Sequence, residues 1–150
     1  MDQYFRANVG AVILNADGMV LALERSDVAG AWQLPQGGLH VDEEPPQAVF
    51  REVQEETGLE PSDLTLLGGL PDIVTYELPV ELRTGKTGRG QAQYWFFLRL
   101  AGGVTPRQPP PPGEFRAWKW MRMRDLVAGA VSFRRAVYQR LADYLEQDFT

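Results

Sequence analysis

Cysteine is absent from the 150 residues and histidine occurs once, as His40. The first absence excludes disulfides, thiolate metal sites, iron–sulfur clusters and a cysteine nucleophile. The second excludes imidazole-rich zinc sites and leaves His40 as the sole base for a serine–histidine–aspartate triad. Any chemistry must therefore lean on oxygen ligands, and a reducing compartment suits the chain. No apolar run approaches the ~20 residues that a membrane helix requires. The opening residues Met1-Asp2-Gln3-Tyr4-Phe5-Arg6 have neither the basic nor the apolar region of a signal peptide, so the expectation is a cytoplasmic protein with no membrane partner.

What is present is enough for a folded domain. Hydrophobic residues at 44% and charged residues at 23% argue against disorder, collagen and a coiled coil. A chain of this length buries roughly 68–70% of its unfolded surface, which leads to the expectation of one domain over residues 1–150.

The net charge of −5 disfavours a nucleic-acid coat and gives no reason to expect DNA as a partner, since non-specific affinity comes from cations neutralising phosphates. The charge is unevenly spread. From Asp42 to Glu60 seven acidic residues face Arg51 alone, and from Phe115 to Arg140 seven basic residues face Asp125 alone. Two solvated faces of opposite sign explain this. So does an anionic metal nest opposed to a cationic phosphate grip.

Strand formers at Val9 to Asn15 and Met19 to Glu24 flank Ala16-Asp17-Gly18, which predicts a hairpin. Trp32 to Leu34 reads as a short strand leading into Pro35-Gln36-Gly37-Gly38, where the glycines open backbone angles closed to other residues. Pro46 and Gly58 suit the first turn and the position past the end of a helix over 46–57. Further strands are predicted at Leu64 to Leu70, Ile73 to Tyr76, Tyr94 to Leu100 and Ala117 to Met121. A last helix runs from Ser132 as N-cap to about Glu146, with Val137, Leu141, Tyr144 and Leu145 as its buried stripe. Pro109 to Pro112 reads as a stiff, extended spacer.

Within the predicted first helix, Glu56 lies about 40° from Glu52 around the axis and Glu55 about 60° to the other side. Three carboxylates on one face repel one another and call for a compensating cation. Carboxylates without histidine or cysteine suit the hard cations Mg²⁺ or Mn²⁺. Arg51 can orient one of them through a charge-assisted pair.

Gly37, five residues, Glu43, seven residues, Arg51-Glu52, aliphatic Val53, one residue, Glu55-Glu56, one residue, Gly58, aliphatic Leu59 is the Nudix box without a departure. With each residue type near ~7% of usage, its seven fixed positions coincide by chance on the order of 10⁻⁸ per start point. The chain thus resembles a Nudix hydrolase. Trp32-Gln33-Leu34-Pro35-Gln36-Gly37-Gly38, Gly90-Gln91-Ala92-Gln93-Tyr94-Trp95-Phe96 and Val131-Ser132-Phe133-Arg134-Arg135 are similar to the branch of RNA 5′-pyrophosphohydrolases and asymmetric dinucleoside polyphosphate (Ap4A-type) hydrolases.

The resemblance implies an α/β Nudix fold, a mixed β-sheet sandwiched between α-helices. It also implies metal-dependent cleavage of a phosphoanhydride in a nucleoside polyphosphate by water. Glu52, Glu55 and Glu56 are its metal carboxylates. Glu114 matches a further one supplied from a loop, and Glu55 is a candidate base. Arg6, Arg25 and Arg134 match basic positions near the substrate, Phe133 an aromatic facing a base, and Tyr76 a tyrosine of the dinucleoside polyphosphate enzymes. His40 occupies a variable position of the box and reads as exposed, without a role.

Ala92 and Tyr94 stand where some RNA-acting relatives carry lysines, and the loop from Pro79 to Gly90 is short and not strongly basic. Asp27-Val28-Ala29-Gly30-Ala31-Trp32-Gln33 looks more like the dinucleoside polyphosphate enzymes, towards which the expectation leans, with the 5′ end of RNA as the other substrate. The expected assembly is a monomer or small homo-oligomer. A rival is a catalytically silent module that senses a nucleotide or RNA end, although a binder has no need of Glu52, Glu55 and Glu56 together. A Ca²⁺-responsive protein would need an EF-hand loop, which the sequence lacks.

Overall fold

The computed structural model describes residues 4–148. Met1, Asp2 and Gln3, half of the segment on which the signal-peptide reading rests, lie outside the described residues. Eight strands form one mixed sheet: β1 (Phe5–Leu14), β2 (Val20–Arg25), β3 (Trp32–Gln33), β4 (Gln36–Gly38), β5 (Leu64–Gly69), β6 (Val74–Glu77), β7 (Gly90–Leu100) and β8 (Phe115–Met121). Three helices accompany it: α1 (Pro45–Thr57), α2 (Met123–Gly129) and α3 (Ser132–Asp148). Strands β3, β2, β1, β7 and β5 follow one another across the sheet, while β4 pairs with β1, β6 with β7 and β8 with β2. The central β1–β7 pair is parallel, in register from Phe5↔Gly90 to Leu14↔Arg99.

Alternation along the two central strands sorts the core into two layers. Val12, Leu14, Trp95 and Phe97 face α2 and α3, packing with Leu126, Val137, Tyr138 and Leu141. Val9, Ala11, Ile13 and Leu98 face α1, packing with Ala48, Val49 and Val53. The sheet therefore lies between helices, as expected.

The hairpin is present. The Asn15 carboxamide accepts from the Asp17 and Met19 N–H groups, and Gly18 adopts φ 76°. Helix α1 opens one residue earlier than predicted, at Pro45, with the Glu44 N–H donating to Gln47 Oε1 at 3.0 Å. It closes on Gly58 at φ 78°, whose N–H reaches the Gln54 carbonyl.

Several expectations are corrected. Gln36–Gly38 is a strand, held by Asn8↔Gly38 and Gly10↔Gln36 pairing, and neither Gly37 nor Gly38 has a positive φ. They supply room, not backbone freedom. Strand β7 begins at Gly90, four residues before the prediction, because β1 gives Gln91, Ala92 and Gln93 hydrogen-bonded partners from Arg6 onward. Helix α2 was not predicted. Its apolar residues Met123, Leu126 and Val127 are buried, but seven residues show too little periodicity to be read. Ser132 is the first helical residue, not the cap, and Tyr144 is half-buried, its ring stacked on Phe97 at 5.4 Å. Ile73 precedes its strand and is 49% exposed.

Candidate functional site

Strand β4 is a wedge between two candidate site residues. A Cβ built on Gly37 would fall on the Glu52 carboxylate, and one built on Gly38 would fall on Arg6 Nη2. Consecutive strand residues point to opposite faces, so the paired glycines admit a carboxylate from α1 on one side and a guanidinium from β1 on the other. A cavity of about 440 Å³ opens there. It is lined by Glu52, Glu55 and Glu114 together with Arg6, Arg25, Arg134 and Tyr76, and also by Lys86 and Gln91.

The three helix carboxylates do not share one environment. Arg51 donates to both oxygens of Glu43 at 2.7 and 3.0 Å, to the Gly38 carbonyl at 2.8 Å and to Glu52 at 2.7 Å. Its contacts to Glu55 are longer, at 3.4 Å. The Arg51 hydrogen bonds hold Glu43 at a pKa of about 2 against the opposing effect of burial. Burial raises the pKa of Glu52, opposed by its bond to Arg51. Glu55 is exposed at the cavity.

Glu56 is buried. Its Oε1 accepts the Gln36 N–H at 3.0 Å, and its Oε2 has no partner. Burial, then the charges of Glu52 and Glu114, push its carboxyl well above the ordinary value. Among the described residues no three acidic or histidine side chains already stand as a metal-ligating group. The cation that the crowded face requires is supplied in part by Arg51. All the donors are nevertheless oxygen, Glu56 Oε2 is orphaned within this cluster, and Gly37 leaves space for Glu52, so the residues fit a hard divalent ion.

Glu114 is exposed and lines the cavity from the loop that carries the proline run. Arg25 is gripped by Asp27 through two hydrogen bonds at 2.8 and 2.9 Å. Phe133 does not line the cavity. Its ring stacks on Tyr76 at 5.8 Å, with the Arg134 guanidinium 5.1 Å from its centroid. Only Arg134 of the basic C-terminal run lines the cavity. Arg116 is bound to Glu24, Lys119 lies over Trp32 and Arg140 pairs with Asp72. The opposition of an acidic and a basic segment is therefore corrected: Arg6, Arg25 and Lys86 from elsewhere provide most of the cationic lining.

Sequence reasoning gave no role to Lys86, Thr87, Asn8, Gln33, Gln36 or Gln91, all of which line the cavity. Lys86 lies in the 79–89 loop, where no periodicity marks it. The glutamines carried a signal only as members of motifs. Beneath the cavity Gln93 Nε2 donates to Asn8 Oδ1 at 2.9 Å and to Gln36 Oε1 at 3.2 Å, while Trp95 Nε1 donates to Gln93 Oε1 at 3.0 Å. This network fixes the floor. His40 is exposed, as read from its position.

A family model described as the NUDIX domain matches residues 4–141. An RNA pyrophosphohydrolase of Gluconacetobacter diazotrophicus is 40% identical, over 93% of this chain and 90% of that protein. The E. coli dihydroneopterin triphosphate pyrophosphohydrolase superposes with a TM-score of 0.74 at 26% identity, covering 94% of this chain and 99% of the other. A C. elegans Ap4A hydrolase superposes with a TM-score of 0.72 at 20% identity, covering 95% and 98%. No described helix is long and apolar enough to cross a membrane.

Proposed function

Since the chain belongs to the Nudix hydrolase family, we propose that its polar cavity hydrolyses a phosphoanhydride bond in a nucleoside polyphosphate. The observation that carries this is the meeting of Glu52, Glu55 and Glu114 with Arg6, Arg25 and Arg134 in one cavity. Glu52, Glu55, Glu56 and Glu114 would hold Mg²⁺ or Mn²⁺. Bound there, such an ion neutralises phosphate oxygens and lowers the pKa of a water.

The remaining work falls to the protein. Glu55, exposed at the cavity mouth, accepts the proton of the attacking water. Glu43 and Arg51 fix Glu52 through charge-assisted bonds. Arg6, Arg25 and Arg134 grip non-bridging phosphate oxygens, for which the planar guanidinium offers paired donors. Tyr76, backed by Phe133, presents a ring on which a base stacks.

The 5′-triphosphate end of RNA is the first substrate of this class, supported by the name of the Gluconacetobacter relative. A dinucleoside polyphosphate is the second, favoured by the Tyr76–Phe133 stack beside the cavity. The test is a parallel incubation of 5′-triphosphorylated RNA, diadenosine tetraphosphate, ADP-ribose and oxidised dGTP, with Mg²⁺, with Mn²⁺ or with chelator, and with products resolved by chromatography. Cleavage of one of the first two, abolished by chelator, is expected. Absence of cleavage of all four would overturn the proposal.

A further inference from the structure

Gln91 is buried at 7% exposure, lines the cavity and has a side-chain oxygen with no hydrogen-bond partner. Gln93, two residues along the same face of β7, has the opposite character: both ends of its carboxamide are used within the protein. An orphaned buried acceptor costs free energy and requires an explanation. Phosphate does not provide one, because an ionised phosphate oxygen has no proton to donate.

Strand register narrows the choice. Gln91 stands opposite Arg6 on β1 and opposite Tyr76 on β6, and paired residues share a face of the sheet. Guanidinium, carboxamide and phenol ring therefore form a row. With strands ~4.8 Å apart, its ends are separated by roughly 10 Å at the backbone, about the span of one nucleotide. On the reading above, Arg6 takes phosphate and Tyr76 takes the base. The part of a nucleotide between phosphate and base is the sugar, whose hydroxyls both donate and accept and so match either end of a carboxamide.

We propose that Gln91 is a specificity-determining residue that binds a ribose hydroxyl and selects ribonucleotides over deoxyribonucleotides. The proposal rests on the cavity being a nucleoside polyphosphate site, and the experiment separates the two. Wild-type protein and the Gln91→Leu and Gln91→Met variants, each checked for folding by thermal melting, are assayed on matched substrates. These are 5′-triphosphorylated RNA with ribose or 2′-deoxyribose at its first nucleotide, and diadenosine tetraphosphate with its 2′-deoxy and 3′-deoxy counterparts.

The wild type should prefer the ribose substrate by about tenfold in kcat/KM, the worth of one hydrogen bond. The folded variants should lose that preference to within about twofold, through a rise in KM for the ribose substrate that is larger than any rise for the deoxy substrate. Equal use of ribose and deoxyribose substrates by the wild type overturns the proposal and leaves the hydrolase reading standing. So does an equal loss on both substrates in the variants, which marks Gln91 as structural only. Failure of the wild type to cleave any substrate overturns the hydrolase reading and the ribose assignment together.

Discussion

Two of the cavities among the described residues have contrasting character. The larger, about 810 Å³, lies between the β1–β2 turn and helices α2 and α3, and is lined by Met19, Met123, Val127 and Leu145 with Arg122, Arg124, Asp143 and Glu146 at its sides. The smaller, about 440 Å³, lies around β4. Volume alone would select the first. Yet among the described residues four side chains have an orphaned buried polar atom, and the larger cavity contains none of them. Three of those four, Gln33, Gln91 and Arg134, line the smaller one, and the fourth, Glu56, is tied to Gln36 in its wall. Unsatisfied polar groups are costly in a folded protein, and their concentration in one place, more than the size of the hollow, supports the β4 cavity as the proposed site.

Substitutions on the two sides sharpen the contrast. The largest effect is expected from Glu55→Gln, which removes the proposed base and should lower kcat by about 10²–10⁴ while the melting temperature stays near that of wild type. Gly37→Ala comes next. Its Cβ displaces the Glu52 carboxylate, which Arg51 holds at 2.7 Å, so stability should fall by about 1–3 kcal/mol, and activity of the folded variant at limiting Mg²⁺ should fall at least about tenfold, in line with disturbed support of a metal ligand.

Glu56→Gln tests the buried carboxyl in the metal-free protein. The folded state holds the Glu56 proton more tightly than the unfolded chain does, since burial and neighbouring charges raise its pKa. Stability contributed by this group is therefore present at low pH and lost as pH rises above the ordinary carboxylate range toward the raised folded value. The glutamine keeps an acceptor for the Gln36 N–H and should flatten that slope. It should also stabilise the metal-free protein at neutral pH by about 1–3 kcal/mol in denaturant titrations. The smallest effect is expected from Arg122→Ala in the larger cavity, with turnover within about twofold of wild type and stability within about 0.5 kcal/mol.

The same contrast shows what could be read in advance. Glu52 and Glu55 reach one cavity and Arg51 bonds Glu52 because helix periodicity converts the spacing of the box into position, while the layered fold was expected from the family resemblance and the strand and cap signals gave only its separate elements. Gly37 and Gly38 misled, since a glycine pair reads as a turn when its actual use is steric room for Glu52 and Arg6. Gln91-Ala92-Gln93 has weak strand propensity, so the start of β7 became visible only through its pairing with β1. Lys86 and the divided fates of the basic C-terminal side chains depend on contacts between distant segments. Composition of a single segment does not contain them.

Binding of Mn²⁺ followed by its electron paramagnetic resonance signal tests the central claim most directly, because free and bound ion are distinguished without substrate. The wild type should take up the ion, Arg122→Ala should do so with the same affinity, and the Glu52→Gln/Glu56→Gln double variant, shown to be folded, should bind at least about tenfold more weakly. Equal affinity in the double variant and the wild type would contradict the assignment of the β4 cavity as the metal-dependent hydrolytic site.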